Sequence, residues 1–303
     1  MNEMNAGINR ICAMSGAGLA ALAVLSTDVN AAQHDGEQPK PDKSKYHLLN
    51  PTPPELMREM STDRPDKTES AFTLDAGHFQ VEMDVLNYAY DRDNGLPGDT
   101  RIETVSIAPM NLKVGLCNYA DFQLLLETYS SVRIHQRATR SVEEHRGFGD
   151  ITARLKVNLW GNDGGATAFA MMPFVKLPTN QDDLGNNSVE GGIILPLAVA
   201  LPYEWSMGLM TEVDFNRDES GGGHHAEFVN TITFGHDIVG NLAGYLEFFS
   251  AVSTESDSEW VGTADVGFTY ALTDNIQLDT GVNIGVTRSA DDINPFLGIS
   301  WRF

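Results

Sequence analysis

Asn294-Pro295-Phe296-Leu297-Gly298-Ile299-Ser300-Trp301-Arg302-Phe303 is the stretch whose reading decides the fold. Counting back from Phe303, the positions Trp301, Ile299, Leu297 and Pro295 form one apolar row, while Arg302, Ser300 and Gly298 form a small or polar row between them. Successive side chains of a strand point to opposite faces, so this is a strand with one face for an apolar medium and one for a polar one. Both of its edges carry backbone groups that must be paired. A strand with these needs fits the closing position of a β-barrel, where each edge finds a neighbour.

Working back from it, the same period of two recurs. Phe79, Val81, Met83 and Val85 alternate with Gln80, Glu82 and Asp84; Ile151, Ala153, Leu155, Val157 and Leu159 alternate with Thr152, Arg154, Lys156 and Asn158. Trp205, Met207, Leu209, Val213 and Phe215 alternate with polar or small residues, as do Ile276, Leu278, Val282, Ile284 and Val286. Weaker segments at 102–116 and 168–177 contain Pro109 and Pro173, and 189–201 is apolar on both faces. Breaks are expected at 91–99, 117–121, 134–147, 160–165, 179–188, 202–204, 220–224, 237–241, 254–258, 273–275 and 289–293, which divides the chain into twelve strands. Long Gly/Asp/Asn-rich breaks mostly alternate with tight ones, the pattern of outer loops and periplasmic turns in a transmembrane barrel.

A soluble sandwich also alternates, so length decides between the two. Many segments run to roughly 10–13 residues, against the 5–6 usual in soluble sheets, and tilted strands of about that length cross a bilayer. The expected fold is therefore all-β: a transmembrane antiparallel up-and-down β-barrel of about twelve strands over residues 79–303, with Phe79, Phe122, Trp205, Tyr270, Trp301 and Phe303 as interfacial aromatics.

The residues ahead of the barrel divide into three. Arg10, the apolar run 11–25 and small residues around Ala31 read as a cleavable export signal over 1–31. Cys12 lacks the context of a lipid-attachment site. Residues 32–60 read as a linker, disordered to about residue 45, with a two-turn helix over 53–60. Residues 61–78 are a charged periplasmic lead-in or plug. Either it gates the mouth, with Arg64 paired to Asp63 or Asp66 and Glu69 nearby, or its charges fix the first strand by local hydrogen bonds.

Lys+Arg 20 against Asp+Glu 42 gives a net charge of −22. That sign opposes nucleic-acid binding. The barrel reading itself makes outer-membrane lipid and a small-molecule substrate the expected partners.

Ser61-Thr62-Asp63-Arg64-Pro65-Asp66-Lys67-Thr68-Glu69-Ser70, with Ala76-Gly77-His78-Phe79-Gln80-Val81-Glu82, resembles the start of the "MetA pathway of phenol degradation" family. Gly149-Asp150-Ile151, Lys176-Leu177-Pro178-Thr179 and Val189-Glu190-Gly191-Gly192 are similar to later parts of it. The resemblance spans roughly 61–303 and implies an outer-membrane transporter linked to aromatic compounds. Separately, Leu297, Ile299, Trp301 and Phe303, apolar at alternate positions behind an aromatic last residue, resemble the C-terminal assembly signal of outer-membrane barrels, which implies the barrel-assembly machinery as a partner.

If the apolar faces meet lipid, the alternate faces meet the lumen. Glu82, Asp84, Glu103, Glu127, Glu212, Asp214, Glu227, Glu247, Asp265 and Asp279 then line it with Lys113, Arg154, Lys156, Lys176 and Arg302. Such an excess of carboxylates favours cations in an open pore. The alternative is a closed lumen in which these charges pair, as in a structural or surface-interaction barrel. No histidine is spaced from a serine as a catalytic pair, so no enzymatic activity and no cofactor is expected. His224-His225 after three glycines, and Asp182-Asp183, read as solvated loop tips with no metal site. Cys117 reads as a plain thiol with no partner for an intramolecular disulfide.

Overall fold

The computed structural model describes residues 42–92, 99–219 and 222–303. The expected export signal, Cys12 and the first part of the linker lie outside the described residues.

Strand segments β1 (Phe79–Asp91), β2 (Thr100–Ser106), β3 (Met110–Cys117), β4 (Ala120–Leu126), β5 (Ser130–Gln136), β6 (Ser141–Gly147), β7 (Ile151–Trp160) and β8 (Thr167–Leu177) are followed by β9 (Glu190–Ala200), β10 (Trp205–Arg217), β11 (His224–Val239), β12 (Leu242–Ser253), β13 (Val261–Thr273), β14 (Ile276–Gly285) and β15 (Ile293–Arg302). All join one antiparallel sheet, and β15 pairs back onto β1 to close it. Three of the wall strands are split in two: β2 with β3, β4 with β5, and β6 with β7. Counted as continuous strands, they leave a closed barrel of twelve.

The three splits lie side by side. Pro109 has no N–H to give a ladder, and Ala108 beside it takes a left-handed φ of 56°. Across from it, the Ile107 N–H donates to Tyr129 O at 2.9 Å, and the Gly149 N–H donates to Glu127 O at 2.8 Å. On the other flank the β1–β15 register shifts between Asp84 and Leu86. Beyond this line β5 and β6 form a hairpin, so the expected break at 134–147 is only the turn 137–140. Charged Arg133, His135, Glu143 and His145 interrupt the apolar pattern there, which is why the sequence reads as loop. The free edge of β6 is covered by the 178–189 loop: the Arg146 N–H donates to Asp182 Oδ2 at 2.9 Å and the Gln181 N–H to Phe148 O at 2.8 Å. Asp182 is thus an edge cap rather than a solvated tip.

Outside, the alternate residues are apolar and exposed, as in Leu246, Phe248 and Val252 of β12 and Leu297 of β15. A soluble protein would bury such a band; a bilayer accepts it. Phe79, Phe122, Trp205, Tyr270 and Phe303 are exposed near the end that carries the short connections. No helix among the described residues is long and apolar enough to cross a membrane.

Ahead of the barrel the two-turn helix expected over 53–60 is a single 3-10 turn, Pro54–Leu56. Met57 turns extended, and the Arg58 N–H donates to Asp75 Oδ2 at 2.9 Å instead of continuing a helix. Nor are residues 42–45 a loose linker: Lys43 is buried and pairs with Asp163 at 2.8 Å.

Candidate functional site

Residues 61–75 run through the inside of the barrel and bond to its wall on nearly every side. The Asp63 N–H donates to Glu82 Oε2 on β1 at 2.9 Å. The Asp63 carboxylate holds Lys113 of β3 and Lys156 of β7, and accepts from Gln123 of β4. Arg64 Nη2 lies 2.6 Å from Asp84 Oδ1 on β1 and 2.7 Å from Asp279 Oδ1 on β14, with Phe296 beneath its guanidinium. Lys67 pairs with Asp265 of β13 at 3.1 Å and stands over the Phe249 ring of β12. The Lys67 and Thr68 N–H groups both donate to Glu247 at 2.8 Å. Glu69 pairs with Arg154 of β7, and the Leu74 N–H donates to Asp121 of β4 at 2.9 Å.

The fit has a physical logic. A charge taken out of water costs several kcal/mol unless it is paired and hydrogen-bonded. Glu82, Lys156, Glu212, Asp214, Glu247, Asp265 and Asp279 are buried on the inner face, where water would bathe them in an empty barrel. Here the internal segment supplies partners to most of them, cation against wall carboxylate and carboxylate against wall lysine. Each partner leaves a wall charge uncompensated if it withdraws without water to replace it.

Two of the sequence expectations change. Arg64 pairs with neither Asp63 nor Asp66, because the wall offers it two carboxylates at once; Asp66 sits beside Thr233 and Asp265 instead. Glu103 does not line the lumen. The β-bulge after Asp84 inverts the alternation, so Asn87, Ala89, Thr104 and Ser106 face the inner cavity. Tyr90 and Glu103 are cross-strand partners on the other face, where Glu103 meets His135 at 3.0 Å. Of the other expected members, Lys113 and Arg302 are buried, and Glu227 stands opposite Asp214. Asp84 and Arg154 bond the segment, and Glu127 lines a cavity of about 450 Å³ above Asp63, Arg64 and Glu69. Asp291, on the loop after β14, also lines it, and burial pushes its carboxyl up to about 6.

The sequence did not reveal two features. One is an apolar patch on the inner wall: Met172, Ile194, Met210, Val229, Phe249 and Ala251 are buried together across β8 to β12. Its only trace was the two-faced apolar run around Ile193-Ile194-Leu195. The other is a collar at the short-turn end. Arg58 and Lys43 converge on Asp163 and Asp75, fixing the lead-in below the internal segment. Burial alone would raise the Asp163 carboxyl, yet hydrogen bonds from Lys43 and Asn118 and the Arg58 charge hold it below the ordinary value.

The COG4313 outer membrane channel from Pseudomonas putida F1 has a similar structure, with a TM-score of 0.62 at 13% identity, over 80% of this chain and 100% of that one. NanC porin follows at a TM-score of 0.45 and 9% identity, covering 74% and 98% of the two chains. The translocator domain of the autotransporter NalP from Neisseria meningitidis also reaches 0.45, at 8% identity over 74% and 88%. At these identities the likeness is one of fold, the outer-membrane β-barrel. No curated protein matches the chain. Residues 62–303 match the family described as "Putative MetA-pathway of phenol degradation", from the internal segment through the closing strand, and the chain belongs to that family.

Proposed function

We propose that the chain is a passive outer-membrane channel for small molecules, held shut by residues 61–73 and opened when that segment shifts against the wall. The observation that carries this is the way the segment is held. Over residues 63–69 its side chains are held mainly by hydrogen bonds and ion pairs that water can replace, with apolar packing confined to Ala71 and Phe72 against Ala168 and Ala170, and open volume of about 450 Å³ lies above it. A structural filler would be expected to pack apolar side chains into an apolar interior.

The pathway on this reading is carboxylate-biased along Glu82, Asp84, Glu127 and Asp150, and apolar along Met172, Ile194 and Phe249. Such a lining suits small molecules with an apolar, aromatic body, the class that the family description suggests. The role is non-enzymatic. Residues 1–31 would be removed on export, and Leu297, Ile299, Trp301 and Phe303 would present the strand to the assembly machinery.

The second reading is a non-transporting barrel with a permanently closed lumen. It is favoured by contacts that reach β1, β3, β4, β7, β12, β13 and β14. Liposome swelling with aromatic acids, sugars and organic cations separates the two. The channel reading expects uptake of at least one class above protein-free liposomes; uptake of none supports the closed barrel.

A further inference from the structure

At the long-loop end, three side chains from separate parts of the sequence converge. His225 is the second residue of β11, Asp218 follows β10 and Glu255 lies just after β12. His225 Nδ1 lies 3.2 Å from Asp218 Oδ1 and 3.6 Å from Glu255 Oε2, and one ligand atom from each residue falls within 4.8 Å of the others. We propose that Asp218, His225 and Glu255 form a binding site for one divalent transition-metal ion of the Zn²⁺ class, which clips the β10–β11 connection to the loop after β12.

Both carboxylates approach the same ring nitrogen. A protonated imidazole carries one hydrogen on Nδ1, directed along the ring plane, and so serves one acceptor well. A metal ion serves all three donors. With Zn–N and Zn–O bonds of about 2.0–2.2 Å, tetrahedral ligand atoms stand about 3.3–3.6 Å apart, and the observed 3.2 and 3.6 Å bracket that spacing. The two carboxylates each bring a ligand atom within 4.8 Å of the other, and Asp218 is the more exposed of the pair.

The ligands are held before any ion arrives. The Glu219 N–H donates to Glu255 Oε1 at 2.7 Å, leaving Oε2 for the metal, an outer-shell arrangement of the kind that orients metal ligands. The Ala226 N–H donates to Thr254 Oγ1 at 3.1 Å and the Thr254 N–H to Ala226 O at 2.8 Å, which ties the His225 and Glu255 backbones together. At Gly223 a Cβ would stand 2.4 Å from Asp218 Oδ2, so only glycine leaves that carboxylate its position.

The charge around the site is right for a cation. A cavity of about 300 Å³ beside it carries Glu227, Asp257 and Glu259. Its one arginine, Arg217, is turned away to Asn186 O at 3.2 Å. An imidazole with two carboxylates suits Zn²⁺ and its neighbours, whereas Ca²⁺ takes six to eight oxygens and Mg²⁺ an octahedron of them. His224, next in sequence, is not a member: its Nε2 meets Val189 O at 3.3 Å. The adjacent-histidine pattern thus gives no site, while residues far apart in sequence do.

The test uses the purified, tag-free barrel in detergent, stripped with chelator and titrated calorimetrically with ZnCl₂ in millimolar Ca²⁺ and Mg²⁺. One saturable site per chain is expected, weakened about tenfold or more by His225→Ala and by Glu255→Gln and unchanged by His224→Ala. Co²⁺ should give the intense visible bands of a four-coordinate ion, lost in His225→Ala. Heat-modifiable migration on gels verifies that each variant is folded. No saturable Zn²⁺ binding, or binding and Co²⁺ bands that survive His225→Ala, overturns the proposal.

Discussion

Phe79 and Phe303 close the barrel by exchanging backbone hydrogen bonds, each N–H donating to the other's carbonyl at 2.9 Å, while their rings stack with centroids 5.9 Å apart. The first strand and the twelfth thus meet at their extreme residues, with Gln80 opposite Arg302 and Val81 opposite Trp301.

Deleting Phe303 removes both hydrogen bonds and the ring pair, the pair alone being worth about 0.5–1.5 kcal/mol. The heat-modifiable, folded fraction recovered from membranes should fall, whereas molecules that do assemble should conduct as the wild type does. Phe303→Leu, which keeps the backbone bonds, should fall less.

Arg64 is the cation that two wall carboxylates share. Arg64→Ala leaves Asp84 and Asp279 without it, and unpairing a buried charge costs about 3–5 kcal/mol when water does not enter. Water entering to solvate them is the open state, so single-channel recordings should show more frequent openings. Arg64→Lys, with one ammonium in place of a fork, should lie between the two.

Close approach of backbones docks the lead-in. A Cβ on Gly115 of β3 would lie 2.0 Å from Asp75 O, a backbone atom that cannot swing aside. Gly115→Val should therefore displace the Asp75 region and its partners Lys43 and Arg58, making residues 43–60 sensitive to protease while the barrel stays heat-modifiable. Resistance equal to the wild type would show that this contact does not hold the lead-in.

Acid should loosen the same collar. The Asp163 carboxyl is depressed by its partners despite burial, so its contribution to stability is present above the unfolded value near 3.9 and is lost as pH falls through the lower folded value. Hydrogen-exchange protection over residues 43–58 should hold from pH 7 to about 4 and drop below that. Asp163→Asn should lower protection already at pH 7.

How much of this was legible in the sequence follows from where side chains meet lipid. Strands such as β10 and β14 alternate cleanly because one face contacts hydrocarbon along the length, and the closing role of β15 was readable for the same reason. The β5–β6 hairpin was not, since its outward Arg133, Glu144 and Arg146 carry no lipid signature. Glu103 was placed on the wrong face because a bulge after Asp84 has no mark in the pattern. The charges of residues 61–69 were visible, but their partners lie up to 215 positions away, as Asp279 does from Arg64. Only the closed barrel brings them together.

The most direct test of the gated-channel account is conductance in planar bilayers, comparing the wild type with a variant lacking residues 61–70. The account predicts small or infrequent openings in the wild type and a larger, steady, cation-preferring conductance in the deletion, with the folded fraction verified by heat-modifiable migration. A folded deletion variant that conducts no better than the wild type would contradict it.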